Sequence, residues 1–189
     1  AKFCLKKKIY FIHISTDCVF SGKKGNYLET SKKDAKDLYG KTKAMGEVKN
    51  AYCSTIRTSF IGPEIKTKKS LLNWFLSQKK KVNGYDQAFF SGLTSLELSK
   101  IIYKFFLIKN KHFNKIFNIS GHKISKFMLL SKIKKVFKKK ILIIRSSSFK
   151  IDRSLNSYKF RKSSSYKIKN WNKMLVELKL FMEENNYKF

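Results

Sequence analysis

The sequence predicts an α/β fold built on a parallel β-sheet, and two stretches near the start of the chain support this prediction. An almost unbroken apolar run over 9–14 has the pattern of a parallel strand that is buried on both faces. A helix is predicted over 36–50, and a second strand is predicted over 52–58. A polar loop over 15–35 joins the first strand to the helix, in the position of an active-site loop.

The rest of the chain continues with further helices and strands. An amphipathic helix is predicted over 95–107. The other predicted elements are helices over 69–79, 125–137 and 171–187, and strands over 82–85 (or a turn), 116–120 and 140–144.

The composition indicates a folded chain with an unusual charge. The 189 residues are enough for a domain with a core, and the apolar content of 42% excludes a disordered chain. The net charge of +31 would suit a nucleic-acid or membrane partner. The lysines are spread along the whole sequence, however, which favours compositional drift and predicts no specific nucleic-acid partner. The alternative is a salt-dependent binding to nucleic acid without sequence preference.

Cysteines, histidines and apolar runs restrict the other classes. The three cysteines have no C-x-x-C spacing, which predicts free thiols in a reducing, cytoplasmic compartment. No run approaches the roughly 18 apolar residues of a membrane helix, so no membrane partner is predicted. The three histidines lack metal-ligand spacing, and no metal site is predicted.

A proton-transfer site is predicted where the first strand ends. Ser15 and Thr16 follow the apolar run, and Tyr39 and Lys43 lie four residues apart on the predicted helix. Residues at this spacing share one helix face, so the Lys43 ammonium can lie near the Tyr39 phenol. A nearby cation favours the deprotonated phenol, and this makes Tyr39 suitable for general acid–base catalysis. Thr16, at the carboxyl end of a parallel strand, can bond a reacting oxygen.

The strings around these residues resemble the extended short-chain dehydrogenase/reductases, and most of all their dTDP-4-dehydrorhamnose reductase (sugar-nucleotide reductase) group. The resemblance rests on STDCVFSGKKGNY at 15–27 and LYGKTKAMGE at 38–47. RTSFIGP at 57–63 and IDRSLNSYKFRK at 151–162 extend it. Cys18 and Thr42 depart from the family pattern, which usually has Tyr and Ser there. The proline common before the catalytic Tyr is also absent.

The resemblance implies a partial Rossmann-like parallel sheet, the C-terminal part of such an enzyme, with a small substrate-binding subdomain. It implies a catalytic part over 1–63 and a substrate-binding part over 64–189. The implied activity is NAD(P)-dependent reduction of a keto-deoxysugar nucleotide, as in polysaccharide biosynthesis. The implied site residues are Thr16, Tyr39 and Lys43 for catalysis; Ser15, Tyr39, Lys43, Phe60 and Ile61 for the cofactor; and Asp17, Phe60, Ser70 and Asn73 for the substrate. Plain core packing is an equal alternative for Phe60.

The glycine-rich turn with which the family binds the dinucleotide is missing from this sequence. No G-x-x-G-x-x-G or G-x-G-x-x-G turn is present, so the part that holds the dinucleotide pyrophosphate is not found. We therefore expect a truncated or split enzyme that binds NADP or NAD poorly unless an N-terminal half complements it. A homo-oligomer is a further possible partner. The alternatives are an epimerase or dehydratase of the same fold and a non-catalytic sugar-nucleotide-binding subunit.

Overall fold

The computed structural model describes residues 1–64, 70–108 and 115–187. The chain forms two compact units. The first contains residues 1–59, 101–120 and 153–167, and the second contains residues 60–100, 121–152 and 168–189. Parallel strands and helices occur in both units, which confirms the predicted α/β class. The division of the sequence at residue 63 into a catalytic and a substrate-binding part stays a prediction.

In the described residues of the first unit, a small parallel sheet combines with four helical segments and one short turn. Its elements are α1 (Lys2–Lys6), β1 (Phe11–Thr16), a 3-10 turn (Asp17–Val19), α2 (Leu38–Met45), β2 (Cys53–Thr58), a π-helix (Ile102–Ile108), β7 (Ile116–Asn118) and α6 (Tyr158–Ser164).

The sheet of the first unit has the order β1-β2-β7, and its strands are parallel. The central strand β2 is buried along its whole length, whereas in β1 only Ser15 and Thr16 are buried. The prediction of a first strand buried on both faces was therefore wrong for 11–14. The reason is topological, because among the described residues β1 pairs with β2 alone and forms an edge of the sheet.

Aromatic side chains form much of the core of this unit. The rings of Phe20 and Tyr27 stack with their centroids 4.2 Å apart, and Leu155 is buried with them. A second group centres on Phe160, whose ring meets Phe117 edge-on at 5.7 Å. Each fully buried side chain of this size contributes about 1.5–3 kcal/mol to folding. The loop that follows β1 is thereby held firmly against the unit.

The part of the second unit that the structure describes has three small sheets and four helices. Its elements are β3 (Phe60–Ile61), α3 (Leu71–Ser77), β4 (Lys81–Tyr85), β5 (Ala88–Phe90), β6 (Leu93–Thr94), α4 (Ser95–Ile101, whose last residue is assigned to the first unit), β8 (Ile124–Ser125), α5 (Lys126–Val136), β9 (Leu142–Ser146), β10 (Ile151–Asp152) and α7 (Trp171–Glu184).

Short strand pairs and one long amphipathic helix organise the second unit. β4 pairs with β9 and β3 pairs with β6, both in parallel, while β5 lies between β10 and β8. The apolar residues of α7 recur at helical spacing, and the helix packs against α5. Its buried side chains are Trp171, Met174, Leu175, Leu178 and Met182. The sequence periodicity therefore located this helix, although it ends three residues earlier than predicted.

Within the described ranges, no helix combines the length and the apolar character needed to cross a membrane. In the same residues, no group of three or more His, Cys, Asp and Glu side chains is placed to hold a metal ion.

Candidate functional site

The helix that carries Tyr39 and Lys43 is fixed at its first turn. Asp37 is its N-cap, and the Asp37 carboxylate accepts a hydrogen bond from the Gly40 N–H at 2.7 Å. Gly40 lies so close to the turn after β1 that an added Cβ would overlap the Cys18 carbonyl oxygen. It would also lie 2.6 Å from the Ala35 Cβ. The glycine therefore lets α2 approach the end of β1 directly.

Lys43 reaches the carboxyl end of the first strand. Its Nζ donates a hydrogen bond to the Ile14 carbonyl oxygen at 2.6 Å. Two residues further along the strand, Thr16 is buried and caps the 3-10 turn, with its Oγ1 accepting from the Cys18 N–H at 3.1 Å. The Thr16 hydroxyl donates to Asp17 Oδ1 at 3.1 Å. An ammonium and a hydroxyl are thus both anchored to the end of β1.

Tyr39 lies one helical turn before Lys43, and its side chain is 56% exposed. Its hydroxyl makes no hydrogen bond to any of the residues that the structure describes. The assignment of Tyr39 as an acid–base group stays a prediction, as do the roles of Thr16 and Lys43.

Ser15 points toward a buried ion pair that the sequence did not single out. The Ser15 hydroxyl donates to Glu47 Oε1 at 2.8 Å. The Glu47 carboxylate also accepts from Arg57 Nε at 2.7 Å and from Arg57 Nη2 at 2.8 Å, and both side chains are almost completely buried. Burial alone would raise the pKa of Glu47, but the hydrogen bonds and charge of Arg57 outweigh it and lower that pKa. The pair joins the end of α2 to β1 and β2.

A second polar group surrounds Cys18, one of the two residues named above that depart from the family pattern. Arg153 Nη1 donates to Cys18 Sγ at 3.2 Å, and Arg153 Nη2 lies 3.4 Å from Asp37 Oδ2. Asp17, which is predicted to bind substrate, is buried and accepts from Cys18 Sγ at 3.6 Å. Burial, and next the Asp17 charge, raise the pKa of Cys18. This thiol is therefore held in its neutral form.

The other predicted site residues lie in the second unit. The Phe60 side chain is 52% exposed, which excludes plain core packing, whereas Ile61 is buried. Ser70 caps α3 by accepting from the Asn73 N–H at 3.3 Å, and Asn73 Oδ1 accepts from the Ser70 hydroxyl at 3.0 Å. Both side chains therefore already hold the local backbone in shape. Their assignment to substrate binding stays a prediction.

Comparison with known proteins supports the family that the motifs suggested. The family model described as the RmlD substrate binding domain matches residues 1–83, which is less than half of the chain. No curated protein sequence matches the chain.

Solved structures match over most of the chain. One is a hypothetical dTDP-4-dehydrorhamnose reductase from Sulfolobus tokodaii, with 26% identity and a TM-score of 0.71, covering 90% of this chain and 66% of that one. A dTDP-4-dehydrorhamnose reductase from Bacillus anthracis, in complex with NADP, has 18% identity and a TM-score of 0.78, covering 92% and 66%. A dTDP-glucose 4,6-dehydratase from Bacillus anthracis, in complex with NAD, has 18% identity and a TM-score of 0.73, covering 98% and 65%.

These likenesses confirm the predicted resemblance to the dTDP-4-dehydrorhamnose reductase family and the Rossmann-like α/β class. The structures at 18% identity show the fold alone. The chain spans about two thirds of the length of the structures it matches.

Proposed function

We propose that this chain, similar to the dTDP-4-dehydrorhamnose reductases, carries the proton-transfer and substrate-binding parts of an NAD(P)-dependent reductase of a keto-deoxysugar nucleotide. One observation carries the proposal. The Lys43 ammonium, on the helix that also bears Tyr39, is bonded to the Ile14 carbonyl at the end of β1, two residues before Thr16. Ligands of parallel sheets bind at this end of the strands.

Each residue has a distinct role in the proposal. Tyr39 donates its proton to the carbonyl oxygen of the sugar as that oxygen gains negative charge. Lys43, four residues further along the same helix, brings its ammonium toward the negative charge that this transfer leaves on Tyr39. Thr16 orients the same oxygen by turning its hydroxyl away from Asp17. Ser15, held by Glu47, is a proposed contact of the cofactor, and Asp17 is a proposed contact of the substrate.

A nicotinamide dinucleotide, NADP or NAD, would supply the hydride when bound. In the proposal, Tyr39 and Lys43 would bind its nicotinamide ribose. The glycines of the loop after β1 do not fit its pyrophosphate. Gly22 and Gly25 have positive φ angles, but the Gly22 N–H donates to the hydroxyl of Tyr27, so this loop closes on itself. We therefore propose weak cofactor affinity for this chain alone, improved by a complementing polypeptide or by a homo-oligomer.

The proposed substrate contacts in the second unit are not equally well supported. The exposed ring of Phe60 is available to a ligand, and the buried Ile61 would act through its backbone or by supporting Phe60. Ser70 and Asn73 would have to share their hydrogen bonds with the backbone of α3. A cytoplasmic location is likewise part of the proposal and rests on the free cysteines.

The proposed reductase and a dehydratase of the same fold differ in the acidic residues that they require. A dehydratase needs an added acidic pair beside the three catalytic residues. Asp17 is the acid nearest in sequence, and it is buried with its oxygen bonded to Thr16. Simple reduction therefore fits the site better than dehydration. A non-catalytic subunit would keep the fold without needing Lys43 at the strand end.

The test combines the chain with millimolar NADPH and a dTDP-4-keto-6-deoxysugar, following loss of the reduced nicotinamide and the sugar product. Reduction with loss of NADPH supports the proposal. Epimerisation without net loss of NADPH, or sugar binding without any turnover, supports the corresponding alternative. Lys43→Met should lower turnover about 100-fold. Lys41→Met, on the exposed face of the same helix, should leave it unchanged.

A further inference from the structure

Two runs of three lysines come together on the surface of the second unit. One run, at 79–81, leads into β4, and the other, at 138–140, ends just before β9. β4 and β9 pair in parallel from Lys81 and Leu142 onward, and the Leu142 N–H also donates to the Lys80 carbonyl at 3.2 Å. Paired parallel strands begin at the same end, so the two runs are neighbours although they are far apart in the sequence. Together these six residues form a lysine cluster.

The charge of the lysine cluster is not neutralised by acidic side chains. Five of the six lysines are exposed. The sixth, Lys139, is half-buried, and its Nζ donates to the uncharged Leu76 carbonyl at 2.6 Å. Within residues 1–64, 70–108 and 115–187, none of the six forms an ion pair with a carboxylate. The cluster therefore presents its positive charge to solvent and to any anionic partner.

The strands that follow the lysine cluster have one face against the protein and one face toward solvent. On the inner face, Val82 is buried, and a Cβ added to Gly84 would lie 2.8 Å from the Phe127 ring of α5. On the outer face, Leu142 is 60% exposed and Ile144 is 40% exposed. Residues two apart on a strand point to the same side, so these two aliphatic side chains form one exposed apolar patch. Such patches mark interaction surfaces.

An aromatic pair lies at the far end of the same outer face. Tyr85 is opposite Ser146 where the strand pair ends, and it is on the same side of β4 as the exposed Lys81. The ring of Phe149, which is 48% exposed, meets the Tyr85 ring edge-on, with the centroids 5.6 Å apart. The outer face thus runs from lysines through aliphatic side chains to aromatic rings.

This order of side chains fits the surface of a membrane that contains anionic lipids. The lysines match the negative headgroups, and Leu142 and Ile144 would enter the boundary between headgroups and acyl chains. A second copy of the chain fits less well, because face-to-face pairing would bring two lysine clusters together. Single-stranded nucleic acid stacks its bases on aromatic rings, whereas the middle of this face is aliphatic.

We propose that the outer face of β4 and β9, together with the lysine cluster, binds peripherally to the surface of an anionic membrane. The sequence argument against a membrane partner concerned a spanning helix, which a contact of this kind does not need. The surface lies wholly within the second unit. It goes beyond the proposed reductase activity, since it uses none of the residues assigned to proton transfer, to the cofactor or to the sugar nucleotide.

Sedimentation of the whole chain with lipid vesicles tests the proposal directly. Vesicles of phosphatidylcholine are compared with vesicles in which about 30% of the lipid is phosphatidylglycerol. The Kd should be at least about tenfold lower for the anionic vesicles, because each lysine near such a surface strengthens binding about fivefold. Equal binding to the two kinds of vesicle would overturn the proposal.

Charge variants separate this face from the general attraction of a basic protein. Lys80→Gln combined with Lys140→Gln should raise the Kd for anionic vesicles at least about tenfold. Lys41→Gln combined with Lys162→Gln removes the same charge from exposed positions in the first unit and should raise the Kd less than about twofold. Equal effects of the two double variants would show that net charge alone drives the binding, against the proposal.

Apolar variants test whether the aliphatic patch takes part. Leu142→Thr combined with Ile144→Thr keeps strand propensity but removes apolar area, and should raise the Kd at least about fivefold. Val176→Gln combined with Leu180→Gln removes two exposed apolar side chains from α7 and should leave the Kd unchanged. Urea denaturation midpoints equal to that of the wild-type chain show that the variants keep their fold. No effect of the Leu142 and Ile144 changes would contradict the proposal.

Single-stranded DNA is the competing anionic partner. Binding to DNA that is tighter than binding to the anionic vesicles, and that is insensitive to the Leu142 and Ile144 changes, would assign the lysine cluster to nucleic acid and overturn the membrane proposal. Weaker binding to DNA than to the anionic vesicles supports it. None of these results depends on turnover, so they leave the reductase proposal untouched.

Discussion

At the scale of single residues, the buried pair of Glu47 and Arg57 has the clearest energetic consequence. Glu47→Gln removes the charge that neutralises Arg57, whose side chain is 3% exposed. Leaving a buried cation without its partner should lower the free energy of unfolding by about 3 kcal/mol. Urea denaturation measures this loss. Glu183→Gln breaks an exposed pair with Lys179 and should cost no more than about 0.5 kcal/mol.

The pH dependence of the same pair follows from the direction of its pKa shift. Arg57 lowers the pKa of Glu47 in the folded chain, so the pair contributes its full stability above the unfolded value of about 4.3. That contribution is lost as the pH falls through the folded value. The stability difference between the wild-type chain and Glu47→Gln should therefore shrink in acid. A constant difference from pH 7 down to pH 2 would show that the pair does not titrate in this way.

Short motifs gave the candidate residues at the site. Thr16, Tyr39 and Lys43 were proposed because each has a fixed spacing within one stretch of sequence, and their roles stay predictions. The bonds of Glu47 to Ser15 and Arg57 were missed, because they join three elements and only the fold brings those elements together. The final glutamate of LYGKTKAMGE and the arginine of RTSFIGP were present as signals, but neither indicated its partner.

At the scale of secondary structure, the close packing of α2 against the turn after β1 depends on one glycine. Gly40→Ala would gain up to about 1 kcal/mol of helix propensity. Its Cβ would overlap the Cys18 carbonyl, and backbone cannot move aside as a flexible side chain can. We expect a net destabilisation of about 1–3 kcal/mol, measured by urea denaturation.

Gly46, just after the same helix, provides the matched control. A Cβ there would find its nearest neighbour, the Thr42 carbonyl oxygen, at 3.5 Å, which is ordinary contact. Its φ of −75° suits any residue. Gly46→Ala should be neutral or slightly stabilising. Similar losses for both variants would mean that helix ends in general, not the close approach at Gly40, explain the effect.

Element positions were predictable from apolar patterns, but element ends and burial were not. The strand predicted over 52–58 is found at Cys53–Thr58 and is fully buried, as a central strand should be. The helix predicted over 36–50 is shorter, Leu38–Met45, and ends at Gly46. Over 95–107 the predicted helix changes to π-helical geometry from Ile102 onward. Such changes arise from tertiary packing, which the apolar period does not encode.

At the scale of the whole molecule, most basic side chains cannot have an acidic partner within the chain. The chain has 43 Lys and Arg against 12 Asp and Glu. In the second unit, Lys169 lies 2.8 Å from both Glu97 and Glu177, so two of the acids share one lysine. Most cations must therefore interact with solvent or with anionic ligands. A sugar nucleotide, itself an anion, would be attracted by this charge, and more strongly at low salt.

The central claim is that Tyr39 transfers the proton in a site completed by Lys43 and Thr16, and its most direct test is the turnover of Tyr39→Phe with NADPH and a keto-deoxysugar nucleotide. Removing this hydroxyl alone should lower the rate at least about 100-fold while the dissociation constant of the sugar nucleotide stays within about twofold. Tyr158→Phe, which removes the hydroxyl of another exposed tyrosine, should retain the full rate. Undiminished turnover in Tyr39→Phe would contradict the account.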